Sequence, residues 1–313
     1  MAGTAEEARA VPTRSRVSAR QLLEREWLLG YAFLLPAVLY IVLLVGYPFF
    51  LAISFSVRNV TTGGVEGEFV RLDNFVAVTQ TELFWVALRN SFVFTLGSEV
   101  IKGILGLGLA FLLLQPFRGR NIVRALVIIP WAMPIAVSAI AWRWMFDPLY
   151  SVINWVLVHA GLVRNFPQWL GEPQLAMWSV IIVNVWRGLP FSAIVLMAAI
   201  TAVPQDLVDA AKVDGASFAQ RWRLVMVPII APILFIALLF SLVFTFTDLS
   251  IVYLLTRGGP VNATQVLPTL AFQVGILSGA LGRGAAIALF MLPVLMAVAI
   301  WLLRTLKRRE DLA

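Results

Sequence analysis

Glu99, Lys102, Arg187 and Asp248 each stand inside a long apolar stretch of this 313-residue sequence. A charge at the centre of a membrane helix costs about 2.5–3.5 kcal/mol on insertion scales, so each needs a partner, a water-filled cavity or a polar ligand. Glu99 and Lys102 are three residues apart on one helical face and fit an internal ion pair. Arg187 and Asp248 fit either a salt bridge between two helices or groups that exchange hydrogen bonds with a ligand. Catalysis has less to work with. There is no cysteine, which removes disulfides, Fe–S clusters and thiol chemistry, and the single histidine, His159, cannot make a His-rich metal site. A membrane-embedded enzyme would need clustered His or Cys or paired carboxylates, and the chain has none of these.

The elements that must hold these groups are membrane helices. At 60% hydrophobic and 13% charged, the sequence has about half the charge of an ordinary soluble domain. Its mean hydropathy is +0.89. The formal charge of +7 therefore points to the distribution of Lys and Arg about a bilayer, not to nucleic acid. Residues 1–26 read as a polar, Arg-rich tail, and the apolar run after it is too long for a signal peptide. Six spans follow over 27–306, at about 27–55, 86–114, 122–146, 175–202, 228–255 and 283–306, before a short tail at 307–313. Pro36, Gly46 and Pro48 predict a bend in the first span, and Pro130 and Pro134 break the third. Gly103, Gly106 and Gly108 suit close helix packing in the second. Residues 255–282 read as a polar connector opened by Arg257-Gly258-Gly259-Pro260.

Six spans put both termini on one side. That side carries five basic residues in the N-terminal tail, three at 118–124, three at 204–228 and four at the C-terminus, against five on the other side. The bias places both termini in the cytoplasm.

Residues 204–228, PQDLVDAAKVDGASFAQRWRLVMVP, predict a helix–turn–helix on that cytoplasmic side. Pro204 suits the first helical position, with Asp206 at the positive end of the helix dipole. Gly215 suits a left-handed C-terminus, and Ser217 with Gln220 forms a capping-box pattern. Phe218, Trp222 and Val225 share one face and would present an apolar ridge, and Pro228 would end the unit. An amphipathic hairpin lying on the bilayer is the plainer alternative.

The spacing Asp209-Ala210-Ala211, three residues, Gly215, nine residues, Val225, one residue, Val227-Pro228 resembles the EAA motif of binding-protein-dependent ABC importer permeases. Asp stands for the usual Glu, and two Val for Ile and Leu. LRNSFVFTL at 88–96, RGRNIVRALVIIPWAMP at 118–134, WRWMFDP at 142–148 and YLLTRGGP at 253–260 look like the carbohydrate branch, specifically its maltose-permease F-type subunit in a six-span form. The resemblance covers roughly residues 30–305. It implies an all-α type I importer transmembrane domain, with both termini inside, in the cytoplasmic (inner) membrane of a prokaryote. It also implies a second permease, an ATPase dimer and an extracytoplasmic solute-binding protein as partners. Asp209, Ala210, Ala211, Asp214, Gly215, Phe218, Trp222 and Pro228 would then belong to the ATPase-coupling element. No lysine here is followed by Ser or Thr, so the chain has no P-loop; ATP and Mg are expected on the partner, with no cofactor on this chain.

The same resemblance implies a sugar site. Asn184, Trp186 and Gly188 match an Asn-x-Trp-x-Gly stretch, and Thr245 and Asp248 match two polar positions where the maltose branch has amides. Arg187 is expected to face Asp248 across a midplane cavity, with Trp186 as the wall on which a sugar ring stacks. The departures put maltose itself in doubt, and Arg187 leaves a phosphorylated polyol such as glycerol phosphate open. An ion-coupled carrier using Glu99 and Asp248 as relays is the rival from another class; a carrier would have no ATPase to dock.

Overall fold

The computed structural model describes residues 26–64 and 67–310. The cytoplasmic tails expected at 1–26 and 307–313 lie outside the described residues, except that Glu26 opens the first helix and 307–310 continue the last. The chain divides into two units, residues 1–51 and 52–313.

In the first unit α1 (Glu26–Ile41) passes through a π turn at Val42–Gly46 into α2 (Tyr47–Ser56), whose residues from Ala52 on are counted with the second unit. Phe33, Tyr40, Leu43 and Phe50 are exposed along it, as suits a helix solvated by lipid. The bend predicted here is replaced by the widened turn just ahead of Pro48. A proline ring clashes with the carbonyl four residues back, and a π turn moves that carbonyl aside.

The second unit is built on α4 (Glu82–Leu114), which follows the short α3 (Asp73–Thr79). Span three is two helices, α5 (Arg120–Ala132) and α6 (Ile135–Met145), meeting at 96°. The residue before Pro134 is extended, as the proline requires. After α7 (Val152–His159) comes α8 (Pro173–Thr201), which packs along α4. Gly106 lets the two approach, since a Cβ there would lie 3.1 Å from Ser192 Cβ. Of the three glycines expected to pack closely, Gly106 does, whereas Gly103 and Gly108 face open space; Gly97, against Ile181, joins Gly106.

The hairpin follows, as α9 (Gln205–Val213) and α10 (Phe218–Gln220), then a π turn at Arg221–Met226 and α11 (Val227–Phe246). Pro228 does not end the hairpin. A π turn again precedes the proline, and the helix runs on to Phe246, then breaks at 247–249 before α12 (Ser250–Leu255), the stretch 218–255 forming one apolar span. The expected connector is ordered and largely buried. It forms α13 (Leu267–Phe272) and a π turn at Gln273–Leu277, packed on α14 (Leu281–Leu289), which leads into α15 (Met291–Glu310). Its backbone is satisfied by α4: Asn90 Nδ2 donates to the carbonyls of Asn262 and Ala263, and Ser91 Oγ accepts from Leu267 N–H at 2.9 Å. Among the described residues, five helices are long and apolar enough to cross a membrane, or six with the bent pair as one, which is the six-span all-α class expected from sequence.

Gly275 and Gly284 bring the π turn and α14 together. A Cβ built on Gly284 would lie 2.3 Å from Gly275 Cα, against backbone that cannot yield. Gly284→Leu is expected to destabilise the protein by about 1–3 kcal/mol, the usual cost of overpacking. The check is thermal unfolding of the purified protein in detergent; an unchanged midpoint would contradict this packing.

Candidate functional site

A cavity of about 550 Å³ opens beside the break between α11 and α12. From α8 it is lined by Asn184, Arg187, Gly188 and Phe191, which recur at i, i+3, i+4 and i+7 and so share one helix face. Thr245 and Asp248 line it from the other side. Five of the six residues expected to bind substrate therefore meet in one place.

Trp186 does not join them. It falls on a different face of α8 and packs edge-on against Trp142, with ring centroids 5.5 Å apart. The aromatic surfaces in the cavity are Trp131, Phe191 and Phe244 instead. The 3.6-residue period of α8 was a signal against Trp186. Nothing local marks Trp131, which lines the cavity together with Ile135 from the two sides of the break in span three.

The expected Arg187–Asp248 pair is not formed, since no nitrogen–oxygen approach within 4.0 Å joins them among the described residues. Asp248 is used differently. Its Oδ1 accepts from the N–H groups of Ser250 (2.8 Å) and Ile251 (3.1 Å), capping α12, and its Oδ2 lies 3.5 Å from Asn184 Nδ2. Asn184 Oδ1 and Arg187 Nε are buried with no protein partner, one an acceptor and the other a donor.

The predicted Glu99–Lys102 pair is present at 2.5 Å and buried. Lys102 Nζ also donates to Thr245 Oγ1 (2.9 Å) and Ser241 Oγ (3.1 Å), while Thr245 Oγ1 donates to Glu99 at 2.8 Å. An ammonium has three donors, and all three are occupied. Thr245 is therefore locked into this cluster more than it is offered to a ligand. Gly188 has its reason here as well: a Cβ would lie 2.8 Å from Lys102 Cδ. Lys102 and Ser241 were not among the expected site residues. Lys102 was visible as a charge in an apolar span, but its reach to α11 was not.

The hairpin has the local chemistry expected of it. Gly215 has φ +78°, with Ala216 N–H donating to Ala211 O (2.9 Å) and Gly215 N–H to Lys212 O (3.0 Å), a Schellman C-terminus. Ser217 and Gln220 form the reciprocal capping box. Pro204 sits at the N-cap, one position before the expected one. Asp209 pairs with Lys212 at 2.7 Å and accepts from Gln205 at 3.2 Å, and these hydrogen bonds hold its carboxyl below the usual range. The ridge differs from expectation. Trp222 turns inward onto Phe111, with centroids 5.0 Å apart, and Val225 is half-buried. The exposed apolar side chains are Leu207, Val213, Phe218 and Leu224, around exposed Asp209, Ala210 and Asp214; Ala211 is half-buried.

The chain is 33% identical over 291 residues to the trehalose/maltose transport system permease protein MalF of Thermococcus litoralis, covering 93% of this chain and 98% of that one. It is 31% identical to the diacetylchitobiose uptake system permease protein DasB of Streptomyces coelicolor, over 96% of this chain and 92% of the relative. It is 29% identical to the sn-glycerol-3-phosphate transport system permease protein UgpA of Yersinia pestis, over 90% and 95%. A chain of a bacterial ABC transporter that imports the acidic polysaccharide alginate has the same fold, with a TM-score of 0.77 at 23% identity over 91% of this chain and 97% of that one. The family model described as "binding-protein-dependent transport system inner membrane component" matches residues 102–311, from the buried lysine through the cavity and the hairpin to the last helix, and the chain belongs to that family.

Proposed function

We propose that this subunit passes a sugar through the cavity at Asn184, Arg187 and Asp248 by alternating access, driven by ATPase subunits docked on the hairpin at 204–228. The observation that carries the sugar reading is the cavity lining. Asn184, Arg187 and Asp248 supply donors and acceptors, and Trp131 and Phe191 supply flat apolar faces. Sugar rings use both, through hydroxyl hydrogen bonds and packing of ring C–H groups. The trehalose/maltose and diacetylchitobiose relatives support the class. The unpartnered Arg187 Nε favours a second reading, a phosphorylated polyol, which the glycerol-phosphate relative also supports.

The chain is a multi-pass inner-membrane transport subunit of an ABC importer and not itself a catalyst. Its proposed partners are a second permease, an ATPase dimer that carries ATP and Mg, and an extracytoplasmic solute-binding protein, all about the bilayer. No cofactor is proposed on this chain. A proton- or ion-coupled relay through Glu99 is disfavoured by its pairing to Lys102.

Two measurements test the reading. Gly215→Val places a β-branched residue at φ +78°, at a cost of about 1–2 kcal/mol, with no steric clash at the Cβ position itself. The subunit should still insert, while uptake in proteoliposomes and stimulated ATP hydrolysis should both fall; wild-type rates would remove the hairpin from coupling. Asp248→Ala should reduce uptake of a labelled disaccharide at least tenfold while the binding protein retains its affinity. Asp248→Asn keeps an oxygen to cap α12 and should alter substrate preference more than assembly. Normal uptake in Asp248→Ala would remove this residue from the site.

A further inference from the structure

We infer that Lys102, anchored by Glu99, is a positioning residue that acts as the fulcrum of the helix joining the hairpin to the cavity. The inference rests on the reading of residues 204–228 as the ATPase-coupling element.

The helix in question runs without interruption from Phe218 in the hairpin to Phe246 at the cavity, where it breaks over residues 247–249. Among the described residues, every side-chain hydrogen bond between α11 and α4 runs through Lys102 or Glu99: Lys102 to Ser241 and Thr245, and Thr245 to Glu99. At the same level Lys102 lies against Gly188 of α8. One side chain thus ties three helices, and its three donors leave none for a substrate.

The packing on the two sides of this level differs. Toward the hairpin lies a second, largely apolar cavity of about 270 Å³, bounded by Leu107, Leu196, Leu234 and Trp222, with Glu99 and Ser241 also in its wall. Closely packed interiors transmit displacement, whereas a void lets a helix shift without overpacking. The hairpin arm of α11 therefore has room to move, and the Lys102 cluster holds the helix where the cavity arm begins. Movement of Trp222 would then shift Thr247 and Asp248 about that point, because their N–H groups donate to Val243 O and Thr245 O in the last turn of α11, each at 3.2 Å. Without the polar fulcrum, α11 would slide past apolar neighbours and leave the cavity wall undriven.

The absence of cysteine allows spin-label pairs to be introduced directly. In the assembled, reconstituted importer, with its other subunits made cysteine-free, labels at Val213 on the hairpin and at Thr247 on the cavity wall are each paired with one at Val76 on α3. Val213 and Val76 are exposed, and Thr247 lines the cavity. Pulsed electron–electron distances are read with and without Mg-ATP. Both pairs are expected to shift in the otherwise unaltered chain. In Glu99→Leu/Lys102→Met, which leaves no unpaired charge in the span, the hairpin shift should persist while the cavity shift falls to under a third. Ser241→Ala/Thr245→Val keeps the ion pair, cuts its links to α11, and should do the same if the first variant fails to assemble. A full cavity shift in either double variant overturns the fulcrum and leaves the coupling reading standing. No ATP-dependent shift at the hairpin of the otherwise unaltered chain overturns the coupling reading itself, and the fulcrum with it.

Discussion

A cation carried into the middle of an apolar helix has to be satisfied inside the protein, because lipid offers it nothing. Lys102 is satisfied by Glu99 on its own helix and by two hydroxyls on α11, and its stem occupies the space left by Gly188 on α8. That one ammonium pins α4, α8 and α11 at one level, within a packing otherwise made by apolar contacts. The cavity wall then follows from the arrangement, because Asn184, Arg187 and Gly188 share the α8 face turned toward Lys102. Pairing on one helix keeps the local charge near zero, so the two helices brought together need supply only neutral groups.

Three prolines shape the spans in two different ways. Pro48 and Pro228 each follow a π turn that keeps the helix running, whereas Pro134 separates two helices meeting at 96°. The difference matters for transport. A continuous helix at Pro228 joins the hairpin to the cavity without a flexible joint, and the break at Pro134 is flanked by two cavity-lining residues, Trp131 and Ile135. The segment after the cavity is held by buried polar contacts instead. Arg257, Val261 and Asn262 have positive φ values between 45° and 62°. For Val261 this is a sparsely populated conformation, which persists only where the surroundings enforce it. Asn90, bonded to the carbonyls of Asn262 and Ala263, is one such constraint.

Much of this was legible in the sequence wherever the physics is local. The Schellman end at Gly215, the capping box at Ser217 and the Glu99–Lys102 pair each involve residues within five positions of one another, and each is present. The apolar spans and the break of the third were legible for the same reason, since hydropathy and proline act along the chain. Family-like spacing also marks Asn184, Gly188, Thr245 and Asp248, and a charge in an apolar span marks Arg187; all five line the cavity.

What failed depended on helix rotation and on partners distant in sequence. Trp186 is next to the cavity residues in sequence but on another face of α8, and Arg187 shares the cavity with Asp248 without an ion pair, while one oxygen of Asp248 caps α12. Thr245 reads as a ligand group in the sequence, but its hydroxyl lies between Glu99 and Lys102, 146 and 143 residues away. The sequence by itself determined the helices, their caps and the charges they must neutralise, because those depend on a few neighbouring residues. Only the tertiary structure decided which polar atoms remain free for a ligand, because that depends on what every other helix has already satisfied.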